Sequence, residues 1–190
     1  MFPGGGTPLP GAYSGTMTRR TAVLVLSGIP IARYATALQQ KRASPHETLS
    51  IDLNGKELSI TYGRPYLKQR EFGKEVAPFG QVWRLGADEA TKLTLPSSAK
   101  VQGGPELPAG SYSLWAIPSK EKWTLIVNKA ATVWGTEYDQ SQDVARFDVP
   151  VHNTAPVDEF TIALRKKSNN SAEVTFAWST HMVTATLALE

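Results

Sequence analysis

The chain contains no cysteine. That excludes a disulfide framework, a thiolate metal site, a cysteine nucleophile and an acylated lipoprotein cysteine. Histidine is scarce, and His46, His152 and His181 are scattered without H-x-H or H-E-x-x-H spacing, so no metal site is expected. No apolar run approaches the roughly 20 residues a bilayer-spanning helix needs. Acidic residues are missing from the first 37 positions. Three of the 20 Lys+Arg, namely Arg19, Arg20 and Arg33, fall in that stretch, so the remainder of the chain balances its 17 Asp+Glu. The formal charge of +3 therefore belongs to the N-terminal segment, and the body carries no basic stripe of the kind nucleic-acid binders require. Gly103-Gly104 lacks the Lys and helix of a phosphate loop. Ser111 and Ser113 flank Tyr112 without a nucleophile elbow. No cofactor is implied.

Residues 1–16 are rich in Gly and Pro and lack periodicity, which predicts disorder. Met17 reads as a second start, followed by Thr18-Arg19-Arg20, an apolar run from Thr21 to Ala32, and Ala35-Thr36-Ala37. A charged n-region, a short h-region and an A-x-A site together form a cleavable signal. Residues 1–37 are thus an extension plus signal peptide, by a general or a twin-arginine route. The product is periplasmic or secreted, with no stable membrane anchor after cleavage. Residues 38–45 read as a polar linker, and residues 46–190 as a single domain.

In that domain apolar and polar residues alternate. Leu49, Ile51 and Leu53 are followed by Asn54-Gly55 and then by Leu58, Ile60 and Tyr62. Asn-Gly between alternating runs predicts a hairpin with a type I′ turn. Residues 66–82 break the alternation and predict a long irregular connection covering one end of a sheet. Thr91–Leu95 alternates again, and Ser111–Ile117 is apolar on both faces, which predicts a central strand. Trp123–Val127, Val144–Val151, Phe160–Leu164, Ala172–Trp178 and His181–Leu189 supply further strands, with an irregularity near Ala145-Arg146. Residues 130–142 predict a loop with aromatic cover. The total is roughly nine or ten short strands with turns at sandwich spacing. The predicted fold is all-β, an antiparallel β-sandwich, with a partly closed β-barrel as the alternative.

Several segments, in order, carry a family resemblance. They are Tyr62-Gly63-Arg64-Pro65, Lys68-Gln69-Arg70, Phe72-Gly73, Pro78-Phe79-Gly80, Val82 to Thr91, Leu107 to Leu114, Trp123 to Lys129, and Trp134-Gly135. Together they resemble DUF2911, a bacterial exported domain of unknown function, over about residues 44–190. The resemblance implies an exported β domain and supplies no reaction. Two positions depart from it: Gln69 stands where the family usually has Gly, and Asp88 where it often has Asn.

The densest cluster of functional groups is Gly80 to Thr91. Asp88 and Glu89 are adjacent, so on extended backbone their side chains point to opposite faces and form no acid/base pair. Arg84 is the nearest cation, and an Arg84–Glu89 pair locking the loop is one expectation. The other is a polar pocket in which Arg64, Arg70 and Arg84 converge with Asp88 and Glu89 on an anionic or sugar-like ligand. Trp134, beside Gly135 in a loop, is the candidate stacking platform. His46, at the edge of the linker, is expected to be solvent-exposed. Two functions follow. One is non-catalytic binding of a small ligand, a glycan or an envelope partner. The alternative is a hydrolase-like enzyme using Glu89 as acid or base and Arg84 as electrostatic stabiliser.

Overall fold

A computed structural model describes residues 42–190. The signal segment and residues 38–41 of the linker lie outside the described residues. Ten strands follow in order: β1 (His46–Leu53), β2 (Lys56–Gly63), β3 (Thr91–Leu95), β4 (Ala99–Val101), β5 (Glu106–Leu107), β6 (Gly110–Pro118), β7 (Lys122–Asn128), β8 (Asp143–Pro150), β9 (His152–Lys166) and β10 (Ser171–Leu189). A single 3-10 turn, Gln140–Gln142, precedes β8.

The strands form two antiparallel sheets, one ordered β1-β2-β3-β6-β7-β8 and the other β5-β4-β10-β9. They are separate layers rather than one partly closed barrel. The period-two pattern dictates which face goes inward: Leu58, Ile60 and Tyr62 of β2 meet Val174, Phe176 and Trp178 of β10 in one core. The β1–β2 turn has Asn54 at φ 59° and Gly55 at φ 79°, the conformation a type I′ turn demands. β6 lies at the centre of its sheet, as its two apolar faces predict. Leu114 and Ala116 face the other sheet, while Trp115 joins Ala90 and Ile126 in a small outer cluster. The loop after β7 covers that cluster, with the Tyr138 ring 5.0 Å from Trp115.

The sequence divides Ala172–Trp178 from His181–Leu189, whereas β10 is one continuous strand. Register shifts on either side of Ser179, itself at φ 55°, absorb the break in alternation. A second bulge lies where β7 meets β8, between the pairs Val127↔Ala145 and Asn128↔Asp143, which leaves Val144 unpaired next to the predicted irregularity.

The irregular connection between β2 and β3 touches both sheets. Tyr66 bridges to Glu159 of β9, and Trp83 bridges to Ala116 of β6. The connection inserts Phe72 and the anchor Trp83 itself into an aromatic nest. Phe72 stacks on Trp123 with centroids 5.7 Å apart, and Trp83 stacks on Trp178 at 5.4 Å. A segment whose own pairing is a single bridge, Phe72 to Val76, is thus held by buried rings, each removing a large apolar area from water.

Candidate functional site

The segment after Trp83 folds into a closed loop tied at its base. Thr91 N–H donates to the Arg84 carbonyl at 3.2 Å, and the Thr91 hydroxyl donates to the Leu85 carbonyl at 2.5 Å. The Trp83 indole N–H donates to the Gly86 carbonyl at 3.2 Å. Leu85 and Asp88 both have positive φ, 51° and 63°. Asp tolerates that region better than Leu does, and Leu85 is held there by complete burial. The loop's outer edge is zipped to the segment after β7: Ala90 N–H donates to Val133, and Gly135 N–H donates to Asp88.

The two carboxylates diverge as adjacent residues should. Asp88 is buried and turns towards a short strap, residues 42–45, that leads into β1. Its carboxylate accepts the N–H of Ala43 at 3.1 Å and the N–H of Ser44 at 3.1 Å. Glu89 points the other way, towards solvent, Arg42 and His46. The Arg42 guanidinium approaches Oε1 of Glu89 at 2.8 Å, and Nε2 of His46 lies 3.0 Å from Oε2. The hydrogen bond from Arg42 holds the Glu89 carboxyl below its ordinary range, against the opposing effect of partial burial. His46 Nδ1 is 3.1 Å from the Ser44 carbonyl.

This geometry corrects two expectations. Arg84 does not pair with Glu89, because the closed loop sends the two side chains into different clefts. His46 is half-buried rather than solvent-exposed, because the strap folds back over the loop and carries His46 against Glu89.

Arg84 is the unusual member of the set. Its stem lies so close over Gly135 that a Cβ there would sit 1.8 Å from Arg84 Cδ. Its Nε is buried and has no hydrogen-bond partner. No carboxylate pairs with the guanidinium among the described residues. Burial pushes its pKa down from the ordinary value, with Asp88 opposing. Two clefts meet at this side chain. One, about 300 Å³, is lined by Ser44, Tyr66, Lys68, Arg70, Arg84 and Asp88 among others. The other, about 280 Å³, is floored by Trp83 and Trp178 and again includes Arg70 and Arg84. A third, separate cleft of about 240 Å³ holds Arg42, His46, Glu89 and Lys92.

The five-residue convergence expected from sequence is therefore only partial. Arg70, Arg84 and Asp88 share a cleft. Glu89 lines another. Arg64 is absorbed in a structural pair of bridges, to Glu47 at 3.0 Å and Glu159 at 2.9 Å, that staples β1 and β9 to the start of the connection. Arg70 is exposed and braces its own turn, donating from Nε to the Leu67 carbonyl at 2.9 Å and from Nη2 to the Tyr66 carbonyl at 2.7 Å. Trp134 is half-buried rather than an open platform; its backbone pairs with Glu89 and its ring lines none of the three clefts. Arg42, Lys68 and the strap were not singled out from sequence. Arg42 meets Glu89 across 47 positions, a separation that leaves no local spacing to read.

No curated protein and no solved structure matches the chain. A family model does, over residues 44–187, and its description is a protein of unknown function, DUF2911. That span begins inside the strap and runs almost to the end of β10, so it takes in the whole sandwich and the closed loop, and the chain belongs to the DUF2911 family.

Proposed function

We propose that this protein is an exported β-sandwich domain that binds a small ligand without catalysis, at the clefts where Arg84 emerges. The observation that carries the reading is the Arg84 guanidinium, half-buried, with Nε unpartnered and no ion pair to a carboxylate among the described residues. An unsatisfied buried donor costs about 1–3 kcal/mol. A ligand that engages the guanidinium from the clefts offsets part of that cost by drawing its field into an interaction. Glycans and envelope proteins are the other occupants of the same reading. The signal pattern before residue 38 supplies the compartment.

The hydrolase alternative finds less support. Glu89 and Arg84 line separate clefts. Glu89 is held ionised by Arg42, the opposite of the raised pKa that a general acid needs near neutral pH. It is also occupied by His46.

The test is a thermal-shift screen of small metabolites and glycans on the purified full chain, repeated on Arg84→Met. The expected result is a concentration-dependent rise in Tm for at least one compound, absent in Arg84→Met. A screen in which no compound shifts Tm, or in which every shift survives in Arg84→Met, overturns the reading. Mass spectrometry of protein recovered outside the cytoplasm is expected to show a chain beginning at Leu38. Recovery only in the cytoplasm, with an intact N-terminus, removes the export part.

A further inference from the structure

The cleft between the strap and the turn after Tyr66 has an asymmetric charge lining. Lys68, Arg70 and Arg84 supply three cations to it and Asp88 supplies one carboxylate. That carboxylate is already spent on the N–H groups of Ala43 and Ser44. Arg70 uses Nε and Nη2 on the carbonyls of Leu67 and Tyr66, which fixes its plane and leaves Nη1 uncommitted. Lys68 is exposed at the turn tip and stands at φ 50°, with Gln69 following at φ 66°. Two successive non-glycine residues in this region cost conformational energy, and strain of this kind is stored at ligand clamps. Tyr66 adds a ring with 38% of its surface exposed on the same wall. Glu75 belongs to the neighbouring cleft and is turned away, accepting the Glu71 N–H at 2.8 Å.

We infer that this cleft is a binding site for a small oxyanion, a carboxylate or phosphate compound, held by Arg84 from below and by Arg70 and Lys68 from the turn. The inference rests on the binding reading of the same site and names the chemistry of its ligand. Planar guanidinium forks match the two oxygens of a carboxylate or phosphate, and Lys68 adds a point charge from the open side. A volume of about 300 Å³ suits a compound the size of citrate or a sugar phosphate. The strap is part of the site, because Ala43, Ser44 and Pro45 form its other wall. Asp88 thus positions the wall, its carboxylate oxygens turned to the N–H groups of Ala43 and Ser44, and the three cations outnumber its single charge.

The experiment is titration of the full chain, at fixed ionic strength, with inorganic phosphate, citrate, glucose 6-phosphate and neutral glucose, followed by calorimetry and Tm. Saturable binding of phosphate compounds alone identifies a phosphate site, and of citrate alone a carboxylate site; either supports the inference. Lys68→Met, a surface change that leaves the core untouched, is expected to raise Kd about tenfold, the effect of one charge-assisted contact. Arg84→Met is expected to abolish binding, and Lys92→Met, in the separate cleft, to leave Kd unchanged. Loss of binding equally in Lys92→Met, or no effect of Lys68→Met, overturns the inference. Absence of saturable binding by all three anions also overturns it. If glucose binds in an Arg84-dependent way and the anions do not, the anion assignment falls while the binding function stands. If a broad ligand screen is silent as well, both fall.

Discussion

Asp88 and Glu89 show how far one peptide bond separates two roles. Asp88 is a structural acceptor, and its loss leaves two strap N–H groups without partners. Asp88→Ala also places an alanine at φ 63°. The expected cost is about 2–3 kcal/mol, read as a lower urea midpoint. Asp88→Asn keeps the αL preference and one acceptor oxygen, and is expected to lose only about 1 kcal/mol. Glu89 contributes through its charge. Its folded pKa is depressed below the ordinary 4.5, so its stabilising contribution is fully present above that value. It is lost as pH falls through the lower folded value, where the carboxylate takes up a proton. The Tm difference between wild type and Glu89→Gln should therefore persist from neutral pH down to 4.5 and shrink below it. A difference that vanishes well above pH 5 contradicts the assignment. Gln69 is explained at the same scale. Its φ of 66° is a conformation that glycine adopts without penalty, in keeping with the glycine expected there from the family resemblance. Gln69→Gly is expected to be neutral or to stabilise by up to about 1 kcal/mol.

Among the elements, the closed loop from Arg84 to Thr91 is tied to itself where β3 begins and held by two segments remote in sequence, the strap and the segment around Gly135. Gly135 has an element-level role because Arg84 lies across it. Gly135→Ala would put a methyl 1.8 Å from Arg84 Cδ and 2.6 Å from the Asp88 carbonyl. The Arg84 stem can swing, but the carbonyl belongs to backbone. The expected outcome is a loss of about 1–3 kcal/mol, the range for overpacking, together with loss of any Arg84-dependent ligand response. Retention of both would mean that the guanidinium is not locked where it is described. The 66–70 turn is strained and exposed at Lys68, Gln69 and Arg70, braced by Arg70 on the carbonyls of Leu67 and Tyr66 and tied to β9 by the Leu67 N–H on Asp158. Hydrogen exchange at Lys68 and Gln69 is expected to be fast and to slow on ligand binding.

At the scale of the molecule, the irregular connection between β2 and β3 is part of the core and not an appendage. Phe72 touches Trp83, Trp123, Trp178 and His181, rings drawn from both sheets and from the connection itself. Burial lowers the His181 pKa, consistent with a ring kept neutral inside that nest. Phe72→Ala is expected to cost about 3–5 kcal/mol, seen as a shift in urea midpoint with an unchanged slope. Because the connection carries the cleft wall with Tyr66, Lys68 and Arg70, the same variant should weaken ligand binding although Phe72 touches no cleft. A destabilised variant that binds normally would separate the core from the site.

Much of this was determined by sequence alone. Period-two alternation specifies strands because successive side chains leave a strand on opposite faces, and Asn54-Gly55 specifies its turn because both residues accept positive φ. The two apolar faces of Ser111–Ile117 placed β6 at the centre. Asp88 and Glu89 diverge as expected, although Asp88 stands at φ 63° and not on the extended backbone that the expectation assumed. What tertiary structure decided was partnership. Arg84 looked like the partner of Glu89 because it is five residues away, yet the loop closes through Thr91 and Arg84 and turns them apart. Glu89 instead takes Arg42 and His46, and Asp88 takes the strap, across more than 40 positions. Sequence spacing governs contacts within one strand or turn, where backbone geometry is regular. Contacts in an irregular loop depend on which distant segments the two sheets bring together, and only the folded chain fixes that.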